Sequence, residues 1–512
     1  MNRREFLHGI GRLALAGLAS QMLPSRLFAQ STAKKKINVL MIAVDDLRPQ
    51  LGCYGQKQMI TPHMDQLASE GALFMSAYCQ QAVCSPTRSS LLTGTRPDTT
   101  KVWDLKTHFR KALPDVVTLP QHFRNNGYHS IGIGKIYHGG YDDPPSWSEP
   151  WIPGKGKQYA KDAASKSTGD DEVQTSRPAA ASKKAQTTKP AKKGPNGPPY
   201  ECLDVPDNTY TDGITTDKAI EILHRIKDEP FFFAVGLIKP HLPFVAPKKY
   251  WDLYDESKIE IADNPFAPKG VAPMAMHTSG ELRGYHGMPK NTDPFPEELQ
   301  RKLIHGYYAC CSYTDANVGR LLKALDDEGL RENTVVVLWG DHGWHLGEHG
   351  IWTKHTNFEH ATRGCLMMRA PGKQNAAKVE GLTEFVDIYP TLCDLAGLDK
   401  PEHLEGTSFA PLLDDPARQW KKAAFSQFPR SYKGKSYMGY SMRTERYRYT
   451  EWKEKKGGKI TDNLGGVELY DYQTDPEENT NLADDKKHAG VRKQLAAMLN
   501  AGWQGARPER NG

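Results

Sequence analysis

The sequence predicts an α/β fold in which a doubly wound sheet domain precedes a smaller antiparallel sheet. As far as residue 418, continuous apolar and β-rich segments alternate with helical patterns, as in a sheet that helices cover on both faces. The first such segment, 37–44, has the composition of a strand buried on both faces of a parallel sheet. From residue 419, short runs of alternating polarity are typical of an antiparallel sheet. We therefore expect an α/β domain over 37–418 and an α+β subdomain over 419–512.

The individual elements follow from apolar periodicity. In the main domain the predicted strands are 37–44, 129–134, 231–237 and 334–339. The helical patterns are 61–79, 119–125, 217–227, 297–328 and 385–398. In the subdomain, strand-like runs at 423–428, 437–443, 447–452 and 467–470 precede a terminal helix at about 483–503.

The four predicted strands of the main domain all end in charged or polar side chains. These are Asp45 and Asp46 after the first strand, Lys135 and His138 after the second, Lys239 and His241 after the third, and Asp341 and His342 after the fourth. Ligands bind outside the carboxyl ends of the strands in an open α/β sheet, so we expect these side chains to converge on one crevice. Asp45 and Asp46 repel each other there and favour a bound cation.

The segment 80–94 contains a cysteine that is predicted to reach the same crevice. Pro86 suits the first turn of a helix and Gly94 suits its end, so Cys84 lies at the helix N-terminus. Free N–H groups and the helix dipole favour an anion at this point, and Arg88 returns to the same face one turn later. This arrangement can hold an anionic ester beside a nucleophile, whereas a lone cysteine on a capped helix would more often be a buried thiol.

The run CSPTRSSLLTG at 84–94 resembles the signature of the type I sulfatases, in which the cysteine is oxidised after translation to formylglycine. The resemblance implies an alkaline-phosphatase-like fold and a hydrated aldehyde at Cys84. One hydroxyl of the hydrate attacks the sulfur of a sulfate ester in this family, and the other later loses its proton to expel sulfate. The resemblance therefore implies a second protein as partner, a formylglycine-generating enzyme.

Further motifs resemble the iduronate-2-sulfatase branch of that family. They are VDDLRP at 44–49, GKIYH at 134–138, KPHLPF at 239–244, DHGW at 341–344 and MGYSMRT at 438–444. The resemblance extends from about residue 37 to residue 483 and omits 155–199. It implies a sulfated carbohydrate as substrate, namely 2-O-sulfated iduronate or a related sulfated uronic acid.

The resemblance also implies catalytic roles for individual residues. Lys135 and Lys354 would reach the sulfate oxygens and neutralise the charge that shifts to the leaving oxygen. His241 would contact sulfate, and His138 would stabilise or deprotonate the aldehyde hydrate. Arg88, together with a metal ion, would hold the hydrate at Cys84.

A divalent cation is the expected cofactor. The carboxylates of Asp45, Asp46 and Asp341 are hard oxygen ligands, and a formylglycine hydroxyl at Cys84 would supply another. With only one imidazole and no thiolate, this set suits Ca²⁺ or Mg²⁺ better than Zn²⁺, and we expect one Ca²⁺ per chain. His342 occupies a position where many sulfatases carry Asn, and it is either a direct ligand or a structural histidine behind the ligands.

The first thirty residues have the order of an export signal. Arg3 and Arg4 resemble a twin-arginine pattern, a short apolar run spans 13–19, and small residues lie near Ala29. The apolar run is too short to span a bilayer, so we expect no stable membrane insertion. We therefore expect export by the twin-arginine machinery and a periplasmic or secreted protein.

Composition excludes a disordered or fibrous chain, because 512 residues with 38% hydrophobic content can bury a large core. The net charge of +6 is small for this length, so we expect no nucleic-acid partner. Many of the lysines lie in the segment 155–199, which is rich in Lys, Ala, Ser, Thr, Gly and Pro and cannot form a core. We interpret this segment as a flexible surface insertion; a basic loop that contacts a glycan is the alternative.

Two other functions stay open at the level of sequence. One is a phosphate- or phosphonate-ester hydrolase of the same fold, although phosphatases of that fold usually carry a second metal and a Ser or Thr nucleophile. The other is a non-catalytic protein that binds sulfated glycans and leaves Cys84 unmodified. A sulfatase that acts on a different sulfated polysaccharide is a third possibility within the family.

Overall fold

The computed structural model describes residues 36–160 and 197–509. The strands are β1 Asn38–Val44, β2 Ala72–Phe74, β3 Ala77–Tyr78, β4 His129–Gly134, β5 Tyr200–Leu203, β6 Phe231–Leu237, β7 Phe244–Pro247, β8 Thr334–Gly340, β9 His345–Leu346, β10 Trp352–Thr353, β11 Leu366–Arg369, β12 Ala377–Val379, β13 Thr383–Glu384, β14 Ala424–Tyr432, β15 Lys435–Arg443, β16 Tyr447–Lys456 and β17 Lys459–Asp471. The α-helices are α1 Pro62–Ser69, α2 Cys84–Thr93, α3 Pro97–Thr100, α4 Leu119–Asn125, α5 Thr211–Ile226, α6 Lys248–Trp251, α7 Gly280–Arg283, α8 Glu297–Asp327, α9 Glu359–Thr362, α10 Ile388–Ala396, α11 Ala410–Asp414 and α12 Ala489–Gly505. The predicted signal at 1–30 and most of the predicted insertion at 155–199 lie outside the described residues.

A mixed sheet of seven strands forms the centre of the described part of the chain, in the order β12-β2-β11-β8-β1-β6-β4. β1 pairs in parallel with β6 and β8, and β4 pairs in parallel with β6. These are the four strands predicted for the main domain, so their carboxyl ends lie at one edge of the sheet. β11 runs antiparallel to β8 and β2, which the sequence did not predict.

Strand β1 is buried on both faces of this sheet. Leu40 and Ile42 belong to a core that includes side chains of α1, α5 and α8. Val39 and Met41 belong to a second core that includes side chains of α2, α4 and α10. Because successive side chains of a strand point to opposite faces, a strand between two helical layers must be apolar almost throughout. The predicted doubly wound α/β architecture is confirmed.

The C-terminal part contains the predicted antiparallel sheet. Strands β14 to β17 pair consecutively and antiparallel. The helix α12 packs on this sheet, since Leu495 shares a buried cluster with Met442 and Tyr449. These elements extend from Ala424 to Gly505. A boundary between two domains at residue 419 stays a prediction.

The helix predicted at 61–79 was wrong in its second half. Helix α1 ends at Ser69, and β2 and β3 follow it. At Gly71 the chain passes so close to the carbonyl oxygen of Met368 that a Cβ would clash. β2 then pairs with β11 and β12, so contacts with distant strands override the local helical pattern.

Within residues 36–160 and 197–509, no helix combines the length and the apolar character needed to cross a membrane. All eight cysteines lie in this part of the chain, and all are free thiols.

Replacing Glu384 with glutamine should destabilise the fold by about 3–5 kcal/mol at neutral pH, because it leaves the buried Arg96 without the carboxylate that it contacts. The Glu384 carboxylate receives two hydrogen bonds from Arg96, at 2.7 and 2.8 Å, and one from Lys421 at 2.8 Å. Burial alone would raise the pKa of Glu384, but Arg96 and Lys421 lower it from 4.5 to about 2. The stabilisation is therefore present above pH 4.5 and is lost as the pH falls toward 2.

Urea unfolding of wild type and Glu384→Gln at neutral pH, and again within that acidic window, checks this prediction. The difference between the two proteins should shrink as the pH falls. A matched change in an exposed ion pair, Glu297→Gln opposite Arg301, should shift the free energy of unfolding by no more than about 0.5 kcal/mol. A difference for Glu384→Gln that stays constant with pH would contradict the assignment.

Candidate active site

Cys84 is the first residue of helix α2, and the start of this helix lies at the crevice. Val83 is extended, with φ −161°, the helix begins at Cys84, and Gly94 ends it in the left-handed conformation, with φ 67°. The positive φ makes any other residue strained at position 94, and a Cβ there would also displace the side chain of Leu404. All residues of α2 are buried, and Cys84 is 2% exposed.

The ends of β1 and β8 bring three carboxylates to Cys84. Asp45 and Asp46 follow β1, Asp341 follows β8, and all three are fully buried. The backbone N–H of Asp46 donates to Oδ1 of Asp341 at 3.0 Å and so joins the two strand ends. One ligand atom from each of Asp45, Asp46, Cys84 and His241 lies within 4.8 Å of the other three. The convergence expected at the strand ends is therefore present.

His342 directs one ring nitrogen into this group. Its Nε2 lies 3.4 Å from Sγ of Cys84, 3.4 Å from Oδ1 of Asp46 and 3.5 Å from Oδ1 of Asp341. Nδ1 lies 2.9 Å from the carbonyl oxygen of Gly343, which can only accept, so Nδ1 carries the proton. Burial lowers the pKa of His342 to about 4. The ring is therefore neutral, and Nε2 presents a lone pair to the site.

These residues fit a divalent cation. The Nε2 lone pair of His342 faces the Oδ1 atoms of Asp46 and Asp341, and all three atoms are acceptors when the two carboxylates are ionised. Burial raises the pKa of Asp341 to about 7 and that of Asp46 to about 6, because each buried negative charge is poorly compensated. A cation held by Asp45, Asp46, Asp341 and His342 would compensate those charges.

Arg88 connects the carboxylates to the end of β4. Its Nη2 donates to Oδ1 of Asp45 and its Nε donates to Oδ2 of Asp341, both at 3.0 Å. Its Nη1 donates to the carbonyl oxygens of Lys135 and Ile136. The guanidinium is fully buried. Burial would lower the pKa of Arg88, but Asp341 and Asp45 raise it above its ordinary value, so the group is always charged.

Two buried lysines supply further positive charge. Nζ of Lys135 donates to Oδ2 of Asp45. Nζ of Lys354, which follows β10, lies 3.0 Å from both carboxylate oxygens of Asp46 and 3.1 Å from Oε1 of Glu281. The structure thus places both predicted sulfate-binding lysines beside the carboxylates.

His241 also reaches the site. Its Nδ1 lies 2.6 Å from the carbonyl oxygen of Leu242, so Nδ1 donates and Nε2 faces inward. Nε2 lies 3.9 Å from Oδ2 of Asp45 and 3.8 Å from Oδ2 of Asp46. Nζ of Lys239 donates to the carbonyl oxygen of His241 at 2.8 Å and so stabilises the loop that carries His241.

His138 lies on the loop after β4 and is half-buried. Its ring stacks beside that of Tyr141, with 6.3 Å between the ring centroids. Its role toward the aldehyde hydrate stays a prediction.

Sequence reasoning missed Glu281. This residue lies on the short helix α7, 73 residues before Lys354 in the sequence, and no motif or periodicity marks it. Its Oε1 nevertheless lies 3.1 Å from Nζ of Lys354 and 3.4 Å from Nε2 of His241. Only the folded chain brings this carboxylate to the site.

The unmodified thiol of Cys84 is a poor nucleophile in this environment. Burial raises its pKa well above the ordinary value, and the nearby carboxylate of Asp45 raises it further. Since the thiolate is the reactive form of cysteine, the side chain as encoded stays neutral and inert.

Comparison with known proteins identifies the family. A family model described as Sulfatase matches residues 37–398. The chain belongs to the sulfatase family. It is therefore a sulfuric ester hydrolase, and the family resemblance found in the sequence is confirmed. A second model, described as N-sulphoglucosamine sulphohydrolase, C-terminal, matches residues 347–504 of this sulfatase.

Relatives of this sulfatase include iduronate 2-sulfatases. The human protein is 35% identical over 88% of this chain and 92% of its own length, and the mouse protein is 34% identical over 91% and 94%. Solved structures share the fold at lower identity. A 2-O GAG sulfatase has a TM-score of 0.67 at 24% identity and covers 91% of this chain and 92% of its own. A phosphonate monoester hydrolase from Silicibacter pomeroyi has a TM-score of 0.69 at 21% identity and covers 92% and 96%.

Removing divalent cations should destabilise this sulfatase, because the site brings three buried carboxylates together. With Ca²⁺ at a hundred times its dissociation constant, we expect about 2.7 kcal/mol of added stability over the chelated protein. Thermal and urea unfolding with chelator and with added Ca²⁺ measure the difference. Asp341→Asn should abolish most of it, whereas Asp252→Asn, at an exposed ion pair, should leave it intact. Equal stability with and without Ca²⁺ in the wild type would contradict the cation site.

Proposed function

We propose that this protein hydrolyses sulfate esters of a carbohydrate, most specifically a 2-O-sulfated iduronate or a related sulfated uronic acid, with a formylglycine at Cys84 and one bound Ca²⁺. The observation that carries the proposal is the position of Cys84 beside a group of buried carboxylates that could hold a cation and that Lys135 and Lys354 contact. The substrate class is supported by the iduronate 2-sulfatases, which match about nine tenths of the chain.

The surroundings of Cys84 suit an anionic ester. Lys135 and Lys354 would bind the sulfate oxygens, and His241 would donate to sulfate through Nε2 when that nitrogen carries a proton. These charges also neutralise the negative charge that moves to the leaving oxygen as the ester bond breaks. The lysines, the carboxylates and Cys84 are all buried, so their charges would act on the ester in a region of low dielectric.

The nucleophile requires chemistry that cysteine lacks. A hydrated aldehyde at residue 84 would supply one hydroxyl for attack on sulfur and a second for the release of sulfate. Arg88 holds Asp45 and Asp341 in place beside this position through two 3.0 Å hydrogen bonds. His138 would take or return the proton of the hydrate.

A divalent cation bound at this site would supply Lewis-acid chemistry. Asp45, Asp46, Asp341 and His342 would hold it, and the predominance of carboxylates favours Ca²⁺ over metals that prefer nitrogen and sulfur. We also propose a periplasmic or secreted location, reached through the twin-arginine machinery, on the strength of the pattern at 1–30.

The experiment is sulfate release from defined substrates by protein co-expressed with a formylglycine-generating enzyme, with Cys84→Ala as the blank. The panel contains a heparin-type disaccharide with a 2-O-sulfated uronate, other sulfated sugars, an aryl sulfate and a phosphonate monoester. Preferential release from the uronate supports the full proposal. Preference for another sulfated sugar would overturn the substrate but leave the reaction class.

The phosphonate monoester tests a second function. A phosphonate monoester hydrolase shares this fold with a TM-score of 0.69, so the same scaffold accommodates that activity. Faster turnover of the phosphonate than of every sulfate ester would favour this alternative.

A further inference from the structure

The side chains of the candidate site differ in exposure. The side chains of Asp45, Asp341 and Arg88 are fully buried, that of His241 is 13% exposed, and that of Glu281 is 23% exposed. Among these side chains Glu281 therefore lies nearest the solvent. A sugar whose sulfate contacts Lys354 and His241 would therefore lie beside Glu281, which contacts both residues.

Glu281 contacts the two residues that are proposed to bind sulfate. Its Oε1 accepts a hydrogen bond from Nζ of Lys354 at 3.1 Å and lies 3.4 Å from Nε2 of His241. The ammonium group of Lys354 has three N–H donors. Its three acceptors are the two carboxylate oxygens of Asp46 and Oε1 of Glu281. Glu281 therefore borders the sulfate-binding groups directly.

Hydrogen bonds hold the backbone around Glu281, so its contacts with Lys354 and His241 are part of the fold. Arg283 donates to the carbonyl oxygens of Thr278 at 2.8 Å and Pro289 at 2.6 Å. The backbone N–H of Trp352, just before the Lys354 loop, donates to Oγ of Ser279 at 2.9 Å. The bond from Trp352 joins the start of α7 to the segment that carries Lys354.

One oxygen of Glu281 has no hydrogen-bond donor. Oε2 is buried and lacks a partner among the described residues, and its nearest ring nitrogen, Nδ1 of His355, lies 3.9 Å away. Burial would raise the pKa of Glu281, but Lys354 and His241 lower it to about 2, so the carboxylate is ionised. An ionised carboxylate oxygen without a donor is costly, and a donor from the substrate would remove that cost.

We propose that Glu281 is a specificity-determining residue that accepts a hydrogen bond from a sugar hydroxyl next to the sulfate ester and disfavours a second anionic group at that position. The inference rests on the proposed sulfatase function. Hydroxyl groups flank the esterified carbon in most sugars, and a carboxylate accepts from them without needing a proton. A neighbouring sulfate or carboxylate would instead meet a fixed negative charge in a region of low dielectric.

The experiment measures kcat/KM for wild type, Glu281→Ala and Glu281→Gln, each with formylglycine and Ca²⁺. Three substrates separate the effects: the preferred sulfated sugar with its neighbouring hydroxyl, the same sugar deoxygenated at that position, and the sugar sulfated at both positions. We expect Glu281→Ala to lower kcat/KM about ten- to hundredfold on the first substrate and less than about twofold on the deoxy sugar. Both variants should turn over the disulfated sugar faster than wild type does.

Controls keep the result interpretable. Glu298→Ala, at an exposed glutamate, should match wild type on all three substrates. Unfolding midpoints show whether each variant is folded, and Glu281→Gln preserves the shape of the side chain if alanine does not. Equal losses on all three substrates would overturn the inference in favour of a structural role. Gains on all three, with tighter inhibition by inorganic sulfate, would overturn it in favour of a carboxylate that merely competes with sulfate.

A failure of the proposed function is recognised separately. If wild type releases sulfate from none of these sugars, that function fails, and the inference about Glu281 fails with it. If wild type releases sulfate and the Glu281 variants keep its substrate preference, only the inference fails.

Discussion

Cys84→Ala should reduce sulfate release to the background rate, a loss on the order of 10³-fold or more, because it removes the atom from which the nucleophile is formed. The substitution is small and lies at the first residue of a helix, so the protein should stay folded. Initial rates on the best substrate of the panel, beside unfolding midpoints, measure both effects. Full activity of a folded Cys84→Ala protein would refute the proposed nucleophile.

Two further cysteine variants sharpen this result. Cys202→Ala changes an exposed thiol and should retain wild-type activity. Cys84→Ser provides one hydroxyl but not two, so transfer of sulfate to its oxygen would have no second hydroxyl to release it. We expect intact-mass measurements to show one added sulfuryl group on the serine variant after incubation with substrate. Continuous turnover by the serine variant would instead mean that release does not need the second hydroxyl.

Arg88→Ala should destabilise the fold by about 3–5 kcal/mol and also abolish activity. It leaves Asp45 and Asp341 buried without the guanidinium that contacts both carboxylates. Both carboxylates accept from the guanidinium at 3.0 Å, and the side chain is fully buried. Urea unfolding at saturating Ca²⁺ measures the loss of stability. Arg301→Ala, at an exposed helical ion pair, should change stability by no more than about 0.5 kcal/mol.

Arg88→Lys distinguishes charge from geometry. Lysine keeps the positive charge but cannot donate in the planar arrangement that reaches two carboxylates and two carbonyl groups at once. We expect it to recover part of the stability and little of the activity. Wild-type activity in this variant would show that only the charge of Arg88 matters, and stability of Arg88→Ala within about 1 kcal/mol of wild type would contradict its proposed structural role.

Most of the site could be predicted because its residues lie at the ends of strongly patterned elements. Asp45 and Asp341 follow strands that are apolar on both faces, and such strands can only occupy the centre of a covered sheet. Once β1 and β8 are parallel neighbours, the two carboxylates must meet. Cys84 was found in the same way, from a proline and a glycine that mark the ends of one helix.

What the sequence did not predict depends on contacts between distant segments. Residues 72–78 have a pattern compatible with a helix, and only pairing with β11 to β13 makes them strands. Glu281 lies on a helix of four residues, too short to show any periodicity, and reaches Lys354 through a loop. Local propensity carries no information about such encounters, because tertiary contacts decide them.

The burial of helix α2 has a consequence for how an active molecule is made. Every residue of the helix is buried, and Cys84 is only 2% exposed. If this cysteine is converted to formylglycine, as we propose, the converting enzyme must act before folding buries the helix. On our proposal, each molecule is committed to activity or inactivity during its synthesis, and maturation has to precede any export of the folded protein. The active fraction of a preparation then depends on how much Cys84 the producing cell converted during synthesis. Treatment of the folded protein with the converting enzyme will not raise that fraction.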